Sequence, residues 1–312
     1  MKAVRFNQGK VDVTEVDPPK GEGVRIRIAS SGICGSDLHM LAGGYPVPVT
    51  VGHEMAGITD DGTPVAIEPT APCGHCTYCV SGQYNLCEAG PQVIYGVGRD
   101  GGMAEQVIVP ERCLVPLPAG LPVGNACLIE PVAVAVHGLH LAQLAGADRV
   151  AVVGGGSLGL CAVAVAKAVT DDVCLVARHD AQKLAGERLG ARPQCDGAFD
   201  LGIDCAGTSE SMAQTVQLCK PGARILMLAT YWQGLTLPAF EVSMKELRLL
   251  NATTYCRHGI ARDVDIAAAL MARNPRIADC IITHRLPLEA AAEAFAIAGN
   301  RAQGAIKVVL TP

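Results

Sequence analysis

The 312 residues predict an α/β protein of two units, an irregular β-rich unit and a doubly wound parallel-sheet unit, and three observations point there. Up to about residue 125 the chain is rich in Gly and Pro and holds short β-like runs (VRIRIAS, VAIEP, EQVIVP), with no amphipathic pattern long enough for a good helix. From about residue 132, apolar helix-like runs alternate with RVAVVG, DVCLVAR, DLGIDCAG and ARILMLAT, the βαβ rhythm of a parallel sheet. After Thr283 come a Pro-marked turn (RLPL), an Ala-rich helix and a closing strand, AIKVVLTP. The expected division is residues 1–131 with 283–312 for the β-rich unit and 132–282 for the sheet unit.

Half of the residues are hydrophobic, enough for a sizeable core. The net charge of -5 and the lack of any Lys/Arg run exclude a nucleic-acid surface from the expectation. The longest apolar stretches, Val132 to Leu144 and Val150 to Val169, are interrupted by Gly, His, Gln, Ser or Lys, so no bilayer span is expected either. MKAVRFNQGKVDVTEVDPP alternates like a strand and carries no secretion signal. With 14 cysteines in such a chain, a reducing cytoplasm is the expected location, and metal ligation and buried thiols explain the sulfur better than disulfides.

Four of those thiols fall in one loop, CGHCTYCVSGQYNLC, as Cys73, Cys76, Cys79 and Cys87. The spacing lets them converge on one tetrahedral Zn2+ and leaves no position open, so the site is expected to be structural; an iron–sulfur cluster is the rival occupant. His75 lies inside the loop but is not needed as a ligand. Chemistry requires a metal with an open position, and a second ligand set exists: Cys34 in GICGSDLH, His53 and Glu54 in VGHEMAG, and Glu130 in LIEP. Three protein ligands plus water or substrate is the pattern of catalytic zinc. His137 and His140, three apart on the helix expected after Glu130, are better explained by packing than by ligation.

VAVVGGGSLGL runs from a strand into Gly154-x-Gly156-x-x-Gly159 and on into an Ala/Val helix, the fingerprint of a dinucleotide site. Its glycines, with Ser157 and Leu158 at the helix start, let the pyrophosphate approach backbone N–H groups. At the end of the following strand, where an acid would hold a ribose 2′-hydroxyl, Ala177 stands before Arg178 and His179. An Arg suits a 2′-phosphate, so NADP(H) is expected with Arg178 as its reader; Asp180, one register away, keeps NAD as the alternative. GIDCAGT is expected to end its strand beside the nicotinamide half, and Ala229 to Gln233 (ATYWQ), with the one tryptophan Trp232, to lie near the nicotinamide.

These motifs resemble, over essentially the whole length, a zinc-containing medium-chain dehydrogenase/reductase of the polyol (sorbitol) and threonine dehydrogenase branch. The resemblance implies a GroES-like catalytic domain followed by a Rossmann cofactor domain, and two zinc ions per chain. Cys34 and His53 would be catalytic ligands, Glu54 an acidic ligand or a carboxylate behind them, and Glu130 would reach the metal directly or through water. Ser36 followed by His39 would pass the alcohol proton to solvent; the alternative for Ser36 and Asp37 is a local turn, and for His39 a passive surface role. The implied reaction moves hydride between NADP(H) and a secondary alcohol of a polyol, cyclitol, sugar alcohol or amino alcohol, in a homodimer or homotetramer. An NAD-dependent L-threonine 3-dehydrogenase is the alternative within enzymes, and a non-catalytic NADP-binding sensor the alternative outside them. The chain departs from the family in MAGITDDGTPVAIEPTAP, where the turn around Asp60 to Gly62 is shorter than the usual hairpin.

Overall fold

The computed structural model describes residues 1–312, which divide into two compact units. The first comprises Met1–Glu130, Cys256–Ala278 and Ile282–Pro312, and the second Pro131–Tyr255 with Asp279–Ile281.

The first unit opens with a hairpin of β1 (Lys2–Asn7) and β2 (Lys10–Glu15). Gln8 and Gly9 both take positive φ, 49° and 74°, the two-residue turn whose twist matches that of paired strands. Next, β3 (Val24–Gly32) pairs antiparallel with β4 (Glu54–Thr59), with Gly32 opposite Glu54. That register matters for the site: Cys34, two residues beyond β3, and His53, one residue before β4, come to the same end of the pair. Between them lies α1 (Gly35–Ala42), a helix that the period-based reading misses because it has only two turns. The Asp37 carboxylate accepts the Cys34 N–H (2.9 Å), a cap at its start.

From β4 a tight turn leads to β5 (Pro64–Ile67); the Thr59 N–H donates to the Thr63 carbonyl (3.0 Å), and Gly62 takes φ 88°. The thiol loop follows, with the one-turn helix α2 (Thr77–Val80) inside it, and then β6 (Gln106–Val109) on β3 and β7 (Leu114–Pro116) on β5. A 3₁₀ segment, Val123–Leu128, packs on β3, β4 and β5, pinned by the Ser30 hydroxyl donating to the Val123 carbonyl (2.9 Å). It leads into α3 (Ile129–Leu141), whose first turn carries Glu130 and whose later turns carry His137 and His140.

The second unit is a five-stranded parallel sheet of β8 (Val150–Val153), β9 (Val173–Val176), β10 (Phe199–Asp204), β11 (Cys219–Met227) and β12 (Arg248–Asn251), in the order β12-β11-β10-β8-β9. Helices α4 (Ser157–Lys167), α5 (Asp180–Arg188) and α6 (Ser209–Leu218) connect the first four strands. Every residue of β8 is buried, as a central parallel strand covered on both faces requires. The strand order reverses between β8 and β10, and the crevice beyond the carboxyl ends there is where such sheets take ligands. Two features depart from the sequence expectations. Cys174 on β9 and Cys195 before β10 form a disulfide, so the cysteines are not all ligands and thiols. After the short α7 (Ala239–Met244) and β12, the segment Cys256–Ala278 joins the first unit rather than the sheet unit, to which residues 132–282 are assigned above.

That segment holds the two-residue strands β13 (Arg257–His258) and β14 (Ala261–Arg262) and the helix α8 (Asp263–Arg273). The Arg262 guanidinium donates to the carbonyls of Arg112 (2.8 Å) and Leu114 (3.0 Å) and pairs with the buried Glu68, contacts that sequence distance conceals. After α9 (Arg276–Ile281), β15 (Ile282–Pro287), α10 (Ala291–Gly299) and β16 (Lys307–Thr311) complete a seven-stranded sheet, β15-β16-β3-β4-β5-β7 with β6 on β3. Its core includes Ile26, Ile28, Met55, Val65, Ile67 and Val107.

Candidate metal centres and dinucleotide turn

The four sulfurs of the thiol loop converge, with every ligand atom within 4.8 Å of the others. Cys73 Sγ lies 3.7 Å and Cys76 Sγ 3.4 Å from Cys79 Sγ. Four sulfurs about 2.3 Å from one zinc stand about 3.8 Å apart in a tetrahedron, so the set fits that ion. An iron–sulfur cluster would interpose several irons and hold the sulfurs farther apart. Main-chain N–H groups favour the thiolate form: those of His75 and Cys76 lower the pKa of Cys73, and those of Glu88 and Cys79 lower that of Cys76. Burial and the neighbouring thiols instead push Cys79 up to about 12. Cys73, Cys76, Cys79 and Cys87 would hold a cation there as thiolates, with the metal in place of their protons.

The second set also comes together. Ligand atoms of Cys34, His53 and Glu54 lie within 4.8 Å of one another. Behind them, Asp37 Oδ1 faces His53 Nδ1 at 3.6 Å, and neither atom has a hydrogen-bond partner although both are buried. Burial alone would depress the His53 imidazole, but the Asp37 carboxylate, the Cys34 sulfur and Glu130 outweigh it and hold its pKa well above 6.5. Burial likewise raises Asp37, against the pull of His53. The pocket thus brings a thiol, an imidazole and carboxylates together. Zn2+ suits that donor set.

Glu54 has a further partner that the sequence reading missed. Lys307 Nζ lies 2.6 Å from each of its carboxylate oxygens and donates to the Ile33 carbonyl (2.9 Å). Room for this carboxylate depends on Gly32, where a Cβ would stand 2.2 Å from Glu54 Oε2. The signal was present as a single lysine in the apolar closing strand AIKVVL, a charge that needs a buried partner. Ser36 is half-buried near the start of α1, and His39 is exposed one turn later. The two positions share a helix face. Partial burial and the Arg301 guanidinium hold His39 below its usual 6.5.

In the sheet unit, β8 runs into Gly154, Gly155 and Gly156, and α4 starts at Ser157 with Leu158 and Gly159 in its first turn. Gly154 has φ 109°, and a Cβ there would meet the Ala206 backbone at 2.9 Å; one at Gly159 would strike the Gly154 carbonyl at 1.8 Å. Ser157 Oγ is buried with no hydrogen-bond partner at the helix N-terminus, a donor suited to a phosphate oxygen. These features fit a dinucleotide. At the end of β9, Ala177 supplies no carboxylate, Arg178 is exposed, and His179 occupies the N-cap position of α5 without a capping hydrogen bond from its side chain. The Asp180 carboxylate is taken by Lys183 Nζ (2.9 Å). Beyond β11, Tyr231 donates from its hydroxyl to the buried Asp204 (2.8 Å).

Comparison with known proteins agrees with this chemistry. Residues 20–119 match the alcohol dehydrogenase GroES-like domain family. The chain is 30% identical to galactitol 1-phosphate 5-dehydrogenase of Escherichia coli K12 over 323 aligned positions, covering 93% of this chain and 92% of that protein. Among solved structures, a zinc-binding dehydrogenase of Sinorhizobium meliloti 1021 bound to NADP is 29% identical with a TM-score of 0.85, covering 100% of this chain and 99% of that one. An alcohol dehydrogenase of Escherichia coli CFT073 complexed with NADH is 26% identical with a TM-score of 0.88, at the same coverage. The chain belongs to the zinc-type medium-chain dehydrogenases of the alcohol dehydrogenase superfamily, among oxidoreductases of alcohols and polyols.

Proposed function

We propose that this protein is an NADP-preferring, zinc-dependent dehydrogenase that oxidises a secondary alcohol of a polyol, cyclitol, sugar alcohol or amino alcohol. The observation that carries the reading is the convergence of Cys34, His53 and Glu54, with Glu130 close enough to act on the His53 charge. When bound there, zinc supplies Lewis acidity that lowers the pKa of a hydroxyl, and the nicotinamide supplies a hydride acceptor.

The chain's residues do the rest. Cys34 and His53 would hold the metal, and Asp37, 3.6 Å behind the His53 ring, stands where a carboxylate would orient a ligating imidazole. Lys307 neutralises Glu54 and keeps its carboxylate beside the pocket. Oxidation sends two electrons and the carbon-bound hydrogen to the cofactor as hydride, while the hydroxyl proton must leave separately. Ser36 and His39, one helical turn apart, offer it a route from a half-buried to an exposed position.

Three features support NADP over NAD: Ala177 in place of an acid, the exposed Arg178 beside it, and Asp180 engaged by Lys183. The similar structures hold one cofactor of each kind. Self-association through the sheet unit is also proposed, because β12 is an edge strand and Leu249, Phe240 and Met244 lie exposed on and before it. No helix is long and apolar enough to cross a membrane. The cytoplasm is proposed as the location because twelve of the fourteen cysteines take no part in a disulfide, Cys174–Cys195 being the exception.

The test is formation of reduced nicotinamide, followed by absorbance, over a panel of polyols, cyclitols, amino alcohols including L-threonine, and simple secondary alcohols, with NADP+ and NAD+ in parallel. Turnover of one class, abolished in Cys34→Ser while cofactor binding persists, is the expected result. Undiminished turnover in Cys34→Ser sinks the metal assignment. Silence of a folded, zinc-loaded preparation across the panel would favour the non-catalytic reading.

A further inference from the structure

Asp204 ends β10 with no solvent exposure, and its carboxylate receives four donors. Oδ1 accepts the N–H groups of Ala206 (2.9 Å) and Gly207 (3.2 Å); Oδ2 accepts the hydroxyls of Ser211 (3.0 Å) and Tyr231 (2.8 Å). Its main-chain carbonyl takes two more, from the N–H groups of Leu228 (3.0 Å) and Ala229 (3.1 Å). One residue thereby joins three separate pieces of the sheet unit: the turn after β10, the first turn of α6, and the loop that leaves β11.

The positions of those pieces give the hub a purpose. The turn after β10 lies against the dinucleotide turn at Gly154, and a Cβ on Gly207 would meet the Thr230 carbonyl at 2.9 Å. A second tether, from the Thr236 N–H to Ser209 Oγ (2.9 Å), ties the far end of the loop to α6. Residues 229–236 are therefore strapped at both ends across the carboxyl ends of the sheet strands, next to the strand-order reversal where a dinucleotide binds. The Tyr231 and Leu235 side chains also pack on the apolar cluster of Met212, Val216 and Ile225, so the Tyr231 hydroxyl adds direction to a loop already anchored by its apolar groups.

We infer that the Tyr231 hydroxyl, acting through Asp204, is a positioning group that sets loop 229–236 against the nicotinamide half of the cofactor. The inference rests on the dinucleotide reading of Gly154 to Gly159 and adds to it a residue that acts on one half of the ligand only. Tyr231→Phe keeps the ring and removes one donor to a buried carboxylate that retains three others. The adenine half, read at the other end by Arg178, should not sense the change.

The experiment uses the full chain and Trp232, its one tryptophan, which adjoins Tyr231 and reports on the loop. NADPH and NADH are titrated by Trp232 quenching and nicotinamide fluorescence, beside nicotinamide-free 2′-phospho-ADP-ribose and ADP-ribose, measured by calorimetry. In Tyr231→Phe the reduced dinucleotides should bind about tenfold more weakly, and the fragments within about twofold of wild type. Ser211→Ala, which takes a donor from the same oxygen without touching the loop, should leave both ligand classes unchanged. Equal losses for dinucleotide and fragment, no loss in Tyr231→Phe, or a matching nicotinamide-specific loss in Ser211→Ala would each overturn the inference. A wild-type protein that binds none of the four ligands would instead remove the dinucleotide reading, and the inference with it.

Discussion

Lys307 Nζ stands 2.6 Å from both carboxylate oxygens of Glu54, and the two side chains are only 3% and 1% exposed. The pair sits one residue from His53, on two strands whose partner is the same β3. Breaking it leaves a carboxylate without its counter-charge in a buried site. Lys307→Met should therefore cost about 3–5 kcal/mol, read as a lower midpoint in urea. Adding Glu54→Gln to that variant should recover most of the loss, because the orphaned charge is then gone. A double variant as unstable as the single one would mean that the lysine works by packing alone.

Removal of one thiol from the closed site separates stability from catalysis. Cys76→Ser, or a chelator that strips this site, should lower the melting temperature far more than it lowers activity per folded molecule. Metal analysis should find one zinc fewer per chain in the variant. An unchanged melting temperature would show that no structural metal is held by Cys73, Cys76, Cys79 and Cys87.

Arg178→Ala tests the cofactor preference. A guanidinium that forms charge-assisted hydrogen bonds to a 2′-phosphate contributes about 1.5–3 kcal/mol, so KM for NADP+ should rise roughly 10- to 100-fold. The KM for NAD+, which lacks that phosphate, should hold. Parallel increases for both cofactors would assign Arg178 to general support of the site.

The pH dependence of alcohol oxidation should carry the mark of His39. Partial burial and Arg301 hold its pKa below 6.5, so the imidazole is neutral and ready to take a proton at pH 7. The sign follows directly: oxidation should slow as pH falls through that depressed value, and His39→Gln should lower the rate and erase this limb. A His39→Gln profile superimposable on wild type would give the histidine a passive place on the surface.

Reduction of Cys174–Cys195, or Cys195→Ser, should destabilise the sheet unit. Closing a loop of 21 residues restricts the unfolded chain by about 3 kcal/mol in the chain-entropy account. Thermal melting with and without dithiothreitol measures it, and Cys195→Ser should show no further response to the reductant.

The sequence made some things legible because their chemistry is local. Four cysteines within fifteen residues, a glycine turn between an apolar strand and an apolar helix, and the alternation of strand and helix runs after residue 132 each depend on neighbours along the chain. The two-turn α1 was not legible: eight residues give too few apolar positions to show a period, and its cap is the Cys34–Asp37 pair rather than a Ser or Thr. Nor was the placement of Cys256–Ala278, which depends on Arg262 reaching carbonyls about 150 residues earlier in the chain.

By itself, then, the sequence determined the fold class, the convergence of the thiol loop and the kind of cofactor turn, since spacing and periodicity encode them. Only the tertiary structure decided that Asp37 stands behind His53, that Lys307 claims Glu54, and that Tyr231 answers to Asp204. Each is a contact between a buried charge and a group brought to it by strand register or chain reversal. A side chain's need for a partner is written in its chemistry, but the partner's identity is set by which strands lie side by side.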